Sequence, residues 1–266
     1  MKSIGETKEQ SFLDHLEVLR WHLIRSAIAV IVCMGVAFIY PEILFDKIIF
    51  AAKDPSFPTY KALCWISKAL GLGDIFCFME TPFTLMNINM SGQFSTHIVS
   101  SLVAGFILAF PYVFWEIWQF IKPALHQGEQ KHAKGVVFYT SFLFMLGVLF
   151  GYYMVAPLSV QFLGNYQVSA QVANQINLNS FISTVTTICL ANGIIFQLPI
   201  VVYFFSRLGI VTPHFLRTYR KHALVVVLII SAIITPPDIT SQIMVSFPLL
   251  ILYEISIKIS ARYQYE

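Results

Sequence analysis

The chain has 266 residues, of which 57% are hydrophobic and only 12% charged, with a mean hydropathy of +0.70 and a formal net charge of +3. Soluble domains carry about 25% charged residues and place them on the faces their cores leave over, so a water-soluble fold is excluded. The small net charge says little about acidic partners, and no nucleic-acid partner is expected.

In chain order, residues 1–22 read as an amphipathic cytoplasmic helix, because Phe12, Leu16, Leu19 and Leu23 recur at three- and four-residue steps. No cleavable signal peptide is visible: the first twenty or so residues are polar and no small-residue cleavage site follows the apolar run. Asp14, Glu17 and Arg20 lie on this segment. Glu17 and Arg20, three apart, can pair on the helix surface for a few tenths of a kcal/mol. A first span is expected over Trp21–Phe45, with Pro41 near its far end.

A long outer loop, 46–93, holds Lys47, Lys53, Lys61 and Lys68 together with Cys64 and Cys77. A disulfide between those two is open in an oxidising compartment. Cys33 and Cys189 lie inside spans and read as structural, and no metal-ligand spacing occurs. Span two is expected over Phe94–Trp118, with Pro111 inside it, His97 near its outer end and Glu116 near its cytoplasmic end. Glu116 reads either as a functional candidate or as an interfacial residue with its head in water. The cytoplasmic loop 119–135 contains Pro123, which breaks the helix leaving span two. Its carboxylate Glu129 stands among Lys131, His132 and Lys134.

From Gly135 to Ser206 there is no Asp, Glu, Lys or Arg. That length holds two spans of about 20 residues each, expected over Val136–Leu158 and Phe181–Phe205 with an outer loop at 159–180 between them. Gln197 and Pro199 lie within the latter span. Proline removes a backbone donor and opens the helix about one turn earlier. Gln197 then either satisfies the opened backbone or forms a neutral polar spot on a concave surface. After a cytoplasmic loop, 206–222, two shorter runs follow, Ala223–Ile234 and Ile243–Ile257. They are joined by an outer turn, 235–242, that carries Thr235, Pro236, Pro237, Asp238, Ser241 and Gln242. Asp238 and Ser241 suit a helix cap. Each run looks too short for a ~30 Å hydrocarbon layer. They are expected as the short fifth and sixth spans, with a shallow hairpin as the alternative.

Orientation follows from the basic residues. Apart from the four lysines of the long outer loop, every Lys and Arg of the 17 falls before span one or at its entrance, in the two cytoplasmic loops, or in the tail. Both termini are therefore expected inside. The expected architecture is a single all-α integral-membrane domain, 1–266, with six transmembrane helices. The competing class, a small-molecule channel or secondary transporter, would show a two-fold repeat of broken helices, and a proton-coupled one ionisable groups at depth, and neither is evident. A membrane scaffold without a peptide site is a further alternative. An enzyme is not expected, since no nucleophile–base pair or metal set is visible.

These pieces together resemble the TatC family, the polytopic subunit of the twin-arginine protein translocase. The resemblance rests on His15-Leu16-Glu17-Val18-Leu19-Arg20, on Phe110-Pro111 and Trp118-Gln119-Phe120-Ile121-Lys122-Pro123-Ala124-Leu125, on Phe196-Gln197-Leu198-Pro199, and above all on Thr235-Pro236-Pro237-Asp238 with Ser241-Gln242. It implies six spans with both termini inside, arranged as a concave, glove-like wall in the bacterial cytoplasmic (inner) membrane. It implies a receptor for signal peptides with consecutive arginines, transport driven by the proton-motive force, single-span TatA-type and TatB-type partners in an oligomeric complex, and no cofactor. Glu129, Glu17 and Asp14 are then the expected acceptors for the peptide's arginines. Arg20, Phe94, Pro111, Glu116, Trp118, Pro123, Gln197, Pro199, Asp238 and Gln242 are expected as groove or motif residues. The family pattern is His-Leu-x-Glu-Leu-Arg, whereas here the carboxylate stands one place early, at Glu17, with Val18 in its usual position. Many members have Glu where this chain has the untitratable Gln197. The outer loop also looks longer than usual, and Tyr60–Leu72 is expected as an amphipathic helix on the membrane surface.

Overall fold

The computed structural model of the chain describes residues 12–69, 71, 73, 77, 83–122, 133–169, 174–207, 209–235 and 239–263. Helix α1, Phe12–Ile39, is 28 residues long, about 42 Å at 1.5 Å per residue. Over the described residues the amphipathic segment and the first span are thus one helix. It stops short of the expected Phe45 because Pro41 disfavours helical geometry at the residue before it. Wider and tighter helical turns follow at Glu42–Ile49 and Phe50–Lys53.

The outer loop contains helix α2, Pro58–Ala69, a disulfide between Cys64 and Cys77, and a three-residue strand β1, Thr84–Met86. Helix α3, Gly92–Ile121, carries Pro111 without interruption. Helix α4, Ala133–Phe150, runs through a widened turn at Gly151–Val155 into α5, Ala156–Asn165. This span therefore extends past the expected Leu158. Strand β2, Gln175–Asn177, pairs in parallel with β1 and ties two outer loops together, a small sheet inside an otherwise helical fold.

The next span is broken, as its proline predicts. Helix α6, Leu178–Ile195, and α7, Leu198–Arg207, are separated by a turn at Phe196 and Gln197. The short α8, Pro213–Thr218, is capped by Thr212, whose hydroxyl accepts from the Phe215 N–H at 3.2 Å. Helix α9, Arg220–Ile234, has 15 residues, about 22 Å, and is short as expected. Helix α10, Ile239–Tyr263, has 25 residues and corrects the expectation of a short final helix. Its polar end is carried by buried serines: Ser256 donates to Leu252 O at 2.6 Å, and Ser260 meets Ser206 of α7 at 2.8 Å. Among the described residues, five helical segments are long and apolar enough to cross a membrane: Leu16–Ile39, Gly92–Ile121, Gly135–Asn165, Leu178–Arg207 and Ser241–Arg262.

The core is small and lies between α3, α4, α6 and α10, around Phe144, Ile182, Ile188, Val245 and Leu249, with Phe110 stacked on Phe144. Close helix approach depends on small residues, as is general inside bilayers. A Cβ at Gly147 would lie 2.6 Å from Asn192 O, and one at Gly105 would lie 2.5 Å from Met34 N. Most of α1 instead shows its apolar residues outward, Ile31, Val32 and Ile39 among them. Only 6% of its most apolar window is buried, so that surface belongs in lipid. The chain is a multi-pass membrane protein.

Candidate functional site

The fixed point of the site is the crossing of α1 and α3. Gly105 brings the two backbones into contact at Met34, and the helices run on from there to the end that holds His22 and Glu116. Glu116 is 1% exposed. This overturns the reading of it as a carboxylate with its head in water. Three groups meet it: His22 Nδ1 lies 2.5 Å from Oε2, the Tyr112 hydroxyl donates to Oε1 at 2.7 Å, and Arg25 Nη1 stands 4.0 Å from Oε2. An ionised carboxylate only accepts hydrogen bonds, so with Glu116 ionised the proton in this contact is the one on His22 Nδ1. A charge at this depth is tolerable only when paired in this way. The Phe120 ring then stands edge-on to His22, with centroids 6.3 Å apart.

Around a helix each residue advances ~100°. Val18, His22 and Arg25 therefore lie on one side of α1, Val18 about 40° and Arg25 about 60° from His22, and His22 and Arg25 of that side reach the Glu116 carboxylate. Glu17 is turned about 140° away from His22 and is exposed, as is Arg20. The one-place shift from the family pattern thus has a physical consequence. A carboxylate at position 18 would share the side that serves Glu116, and like charges there would repel. In this chain the buried carboxylate sits on α3, and the one on α1 stays outside the clamp.

Trp118 is buried against Phe204 of α7, with ring centroids 5.3 Å apart, and its indole N–H has no acceptor among the described residues. Farther along the same end, Arg220 and Glu254 form a two-pronged ion pair, both bonds 2.9 Å and both side chains about half exposed. Pro123, Glu129 and Asp238 lie outside the described residues, as does the side chain of Asp14.

The other sequence-derived candidates lie elsewhere. Gln197 sits at the α6–α7 break. Its backbone N–H bonds Ile194 O, which leaves Gly193 O free of its usual partner. The Gln197 side-chain amide reaches that carbonyl at 3.5 Å and Thr140 O of α4 at 3.2 Å. Gln197 therefore mends the backbone beside Pro199. Its Oε1, like Thr140 Oγ1, has no partner among the described residues. Phe94 is 22 positions before Glu116, about 33 Å along α3. It is exposed beside a cavity of about 500 Å³ that also involves Pro41, Phe45, Phe50 and His97. Gln242 donates to Leu228 O at 3.2 Å, and neighbouring Ser241 meets Ser159 of α5 at 3.1 Å. The candidates thus fall into an α1–α3 clamp at one end, a mended break at depth, and a far end with Phe94 and Gln242.

Sequence reasoning did not find His22, Tyr112 or Arg25. Tyr112 and Glu116 are four apart on one helix, a spacing that allows the contact. The partner on α1 has no signal in the sequence.

Residues 14–248 match the model of the family described as Sec-independent protein translocase protein (TatC). A "Sec-independent protein translocase protein TatC" from Blattabacterium sp. subsp. Periplaneta americana is 38% identical over 96% of this chain and 97% of its own length. That of Aquifex aeolicus is 34% identical over 92% of both. A crystal structure described as the twin-arginine translocase receptor TatC superposes with a TM-score of 0.69 at 33% identity, covering 92% of this chain and 98% of the other. The chain belongs to the TatC family of Sec-independent protein translocase subunits.

Proposed function

We propose that this chain is the signal-peptide receptor of a twin-arginine translocase in the bacterial cytoplasmic membrane. The observation that carries the proposal is the full-length likeness to a structure described as that receptor. Helix α9 serves as a sixth, short crossing that gives the helices a concave side, and both termini lie in the cytoplasm. The charge pattern supports this orientation, because the end with Arg20, Lys122, Arg207, Arg220 and Arg262 is rich in basic residues while the loops 159–180 and 235–242 have none.

Paired guanidiniums of the peptide dock on carboxylates at the cytoplasmic end. Guanidinium binds carboxylate through two parallel bonds, which an ammonium cannot reproduce. Glu116 is buried and already engaged by His22 and Tyr112, so it serves as the pin that fixes α1 against α3. Glu129 and the exposed Glu17 are the acceptors, with Asp14 beside them. The peptide's apolar stretch then lies along the wall near Pro111 and Gln197, each buried methylene adding ~0.8 kcal/mol. TatA-type and TatB-type subunits complete an oligomeric complex, and the proton-motive force drives folded cargo outward. The reaction is transport and requires no cofactor.

The test is photocrosslinking from a signal peptide that carries the photoreactive residue next to its Arg-Arg or Lys-Lys pair, applied to the wild type and to the Glu129→Gln and Glu17→Gln variants. The proposal expects strong labelling by the Arg-Arg peptide alone and a loss of about tenfold in Glu129→Gln. Equal labelling by the two peptides, or full labelling in both variants, refutes it.

A further inference from the structure

We propose that the cavity of about 500 Å³ beside Phe94 is a water-filled inlet that enters the seam between α1 and α3 at the end opposite the Glu116 clamp and stops at Gly105. Its lining includes Phe45, Phe50, Gln93, Phe94, Thr96 and His97. The His97 ring is held between two others, stacked on Phe38 of α1 with centroids 4.0 Å apart and edge-on to Phe45 at 5.5 Å.

Behind this lining the seam is polar. On α3, Ser100 lies one turn beyond Thr96, and Ser101 one turn beyond His97. Both serines are buried, and Ser100 Oγ, Ser101 Oγ and His97 Nε2 have no partner among the described residues. Other hydroxyls at this end of α3 bond their own backbone: Thr96 donates to Gly92 O at 2.7 Å and Ser95 to Ser91 O at 2.9 Å. A buried polar atom without a partner is destabilising. Three of them, spread over little more than one turn beside a cavity, call for a ligand that both donates and accepts. Hydrocarbon does neither. Water does both and makes about three bonds to such groups. The cavity holds many times the ~15 Å³ that one water needs.

The two ends of the inlet follow from helix geometry. Phe94 is exposed and apolar and marks the lipid boundary. Ser101 is seven positions farther, about 10 Å along the helix and a third of a ~30 Å hydrocarbon layer. Gly105 is one turn beyond Ser101. A Cβ there would lie 2.5 Å from Met34 N and 2.7 Å from its Cα. The backbones of α1 and α3 thus leave no space for a water at that level, and the inlet ends blind. From Gly105 to Glu116 is 11 positions, about 16 Å, so only about half of this seam stays dry.

The test is cysteine accessibility in the full chain, held in lipid nanodiscs, with Cys33→Ala and Cys189→Ala and the Cys64–Cys77 bridge intact. Thr96→Cys, Val99→Cys, Ser100→Cys, Ser101→Cys and Ala109→Cys are treated separately with a cationic methanethiosulfonate. The charged reagent is excluded from hydrocarbon, and it reacts with the thiolate, which forms where water reaches. Thr96→Cys and at least one of the two serine variants should react about tenfold or more faster than Val99→Cys, because Val99 is exposed at the same depth and faces lipid. Ala109→Cys, buried one turn past Gly105, should stay unreacted. Equal rates at 96, 99 and 101 would put the whole segment in bulk water and overturn the proposal. Reaction at 96 with silence at both serines confines water to the mouth, and silence at all three means that lipid fills the cavity; either result overturns it. So does reaction at 109, which removes the blind end.

Discussion

Replacing Glu116 by Leu removes the acceptor that joins α1 to α3. His22 suffers most, because its side chain is only 14% exposed and cannot turn to water. A buried donor left without a partner costs about 1–3 kcal/mol. Tyr112 is 40% exposed and Arg25 has a side-chain exposure of 56%, so both recover hydration and add little. The expected loss is thus about 1–3 kcal/mol, most of it assigned to the His22 contact. That assignment makes a sharper demand. In the double variant His22→Phe with Glu116→Leu, no orphaned donor remains on α1, and about half or more of the loss should return. The assay is denaturant unfolding of the purified protein in detergent, run as a double-mutant cycle. A coupling energy below about 0.5 kcal/mol between the two positions would refute the clamp. Binding of an Arg-Arg peptide measured on the same samples separates the pin from the acceptors, since Glu17→Gln should weaken binding without moving the unfolding midpoint.

Gly105→Ala forces a methyl to within 2.5 Å of Met34 N and 2.7 Å of its Cα. It should lose about 1–3 kcal/mol by overpacking, whereas Gly35→Ala on α1, with nothing within 4 Å, should be neutral or gain up to about 1 kcal/mol. Thermal unfolding of the pair checks both, and equal midpoints would discard the close approach. Gln197→Leu loses the bond to Thr140 O but also removes an unpaired buried carbonyl, so stability should change by less than about 1 kcal/mol; a larger drop in the same assay would mean that the amide does more than mend the helix break. Reduction of Cys64–Cys77, a closure over 13 positions, should release about 3 kcal/mol of loop restraint and raise hydrogen exchange in α2 while the spans stay protected. Unchanged exchange in α2 would show that Tyr60 and Phe57 suffice to hold it.

The sequence by itself determined what is local or compositional. The membrane setting follows from the uncharged run from Gly135 to Ser206, which any soluble surface would have to break. The break between α6 and α7 was legible because Pro199 acts on its own backbone within a turn, whereas the first span was expected to run on to Phe45 although Pro41 ends α1 at Ile39. The shortness of α9 was legible for the same reason, as an apolar run bounded by charges and prolines. Only the tertiary structure decided what depends on a distant partner. Glu116 is buried because His22, 94 positions earlier in the chain, supplies its donor, and no periodicity on α3 carries that information. Helix α10 outruns its apolar stretch because Ser260 finds Ser206 across a helix contact. The parallel pairing of Thr84–Met86 with Gln175–Asn177 joins two loops that share no local signal. Each of these offsets the desolvation of a polar group with a partner that packing alone brings within reach.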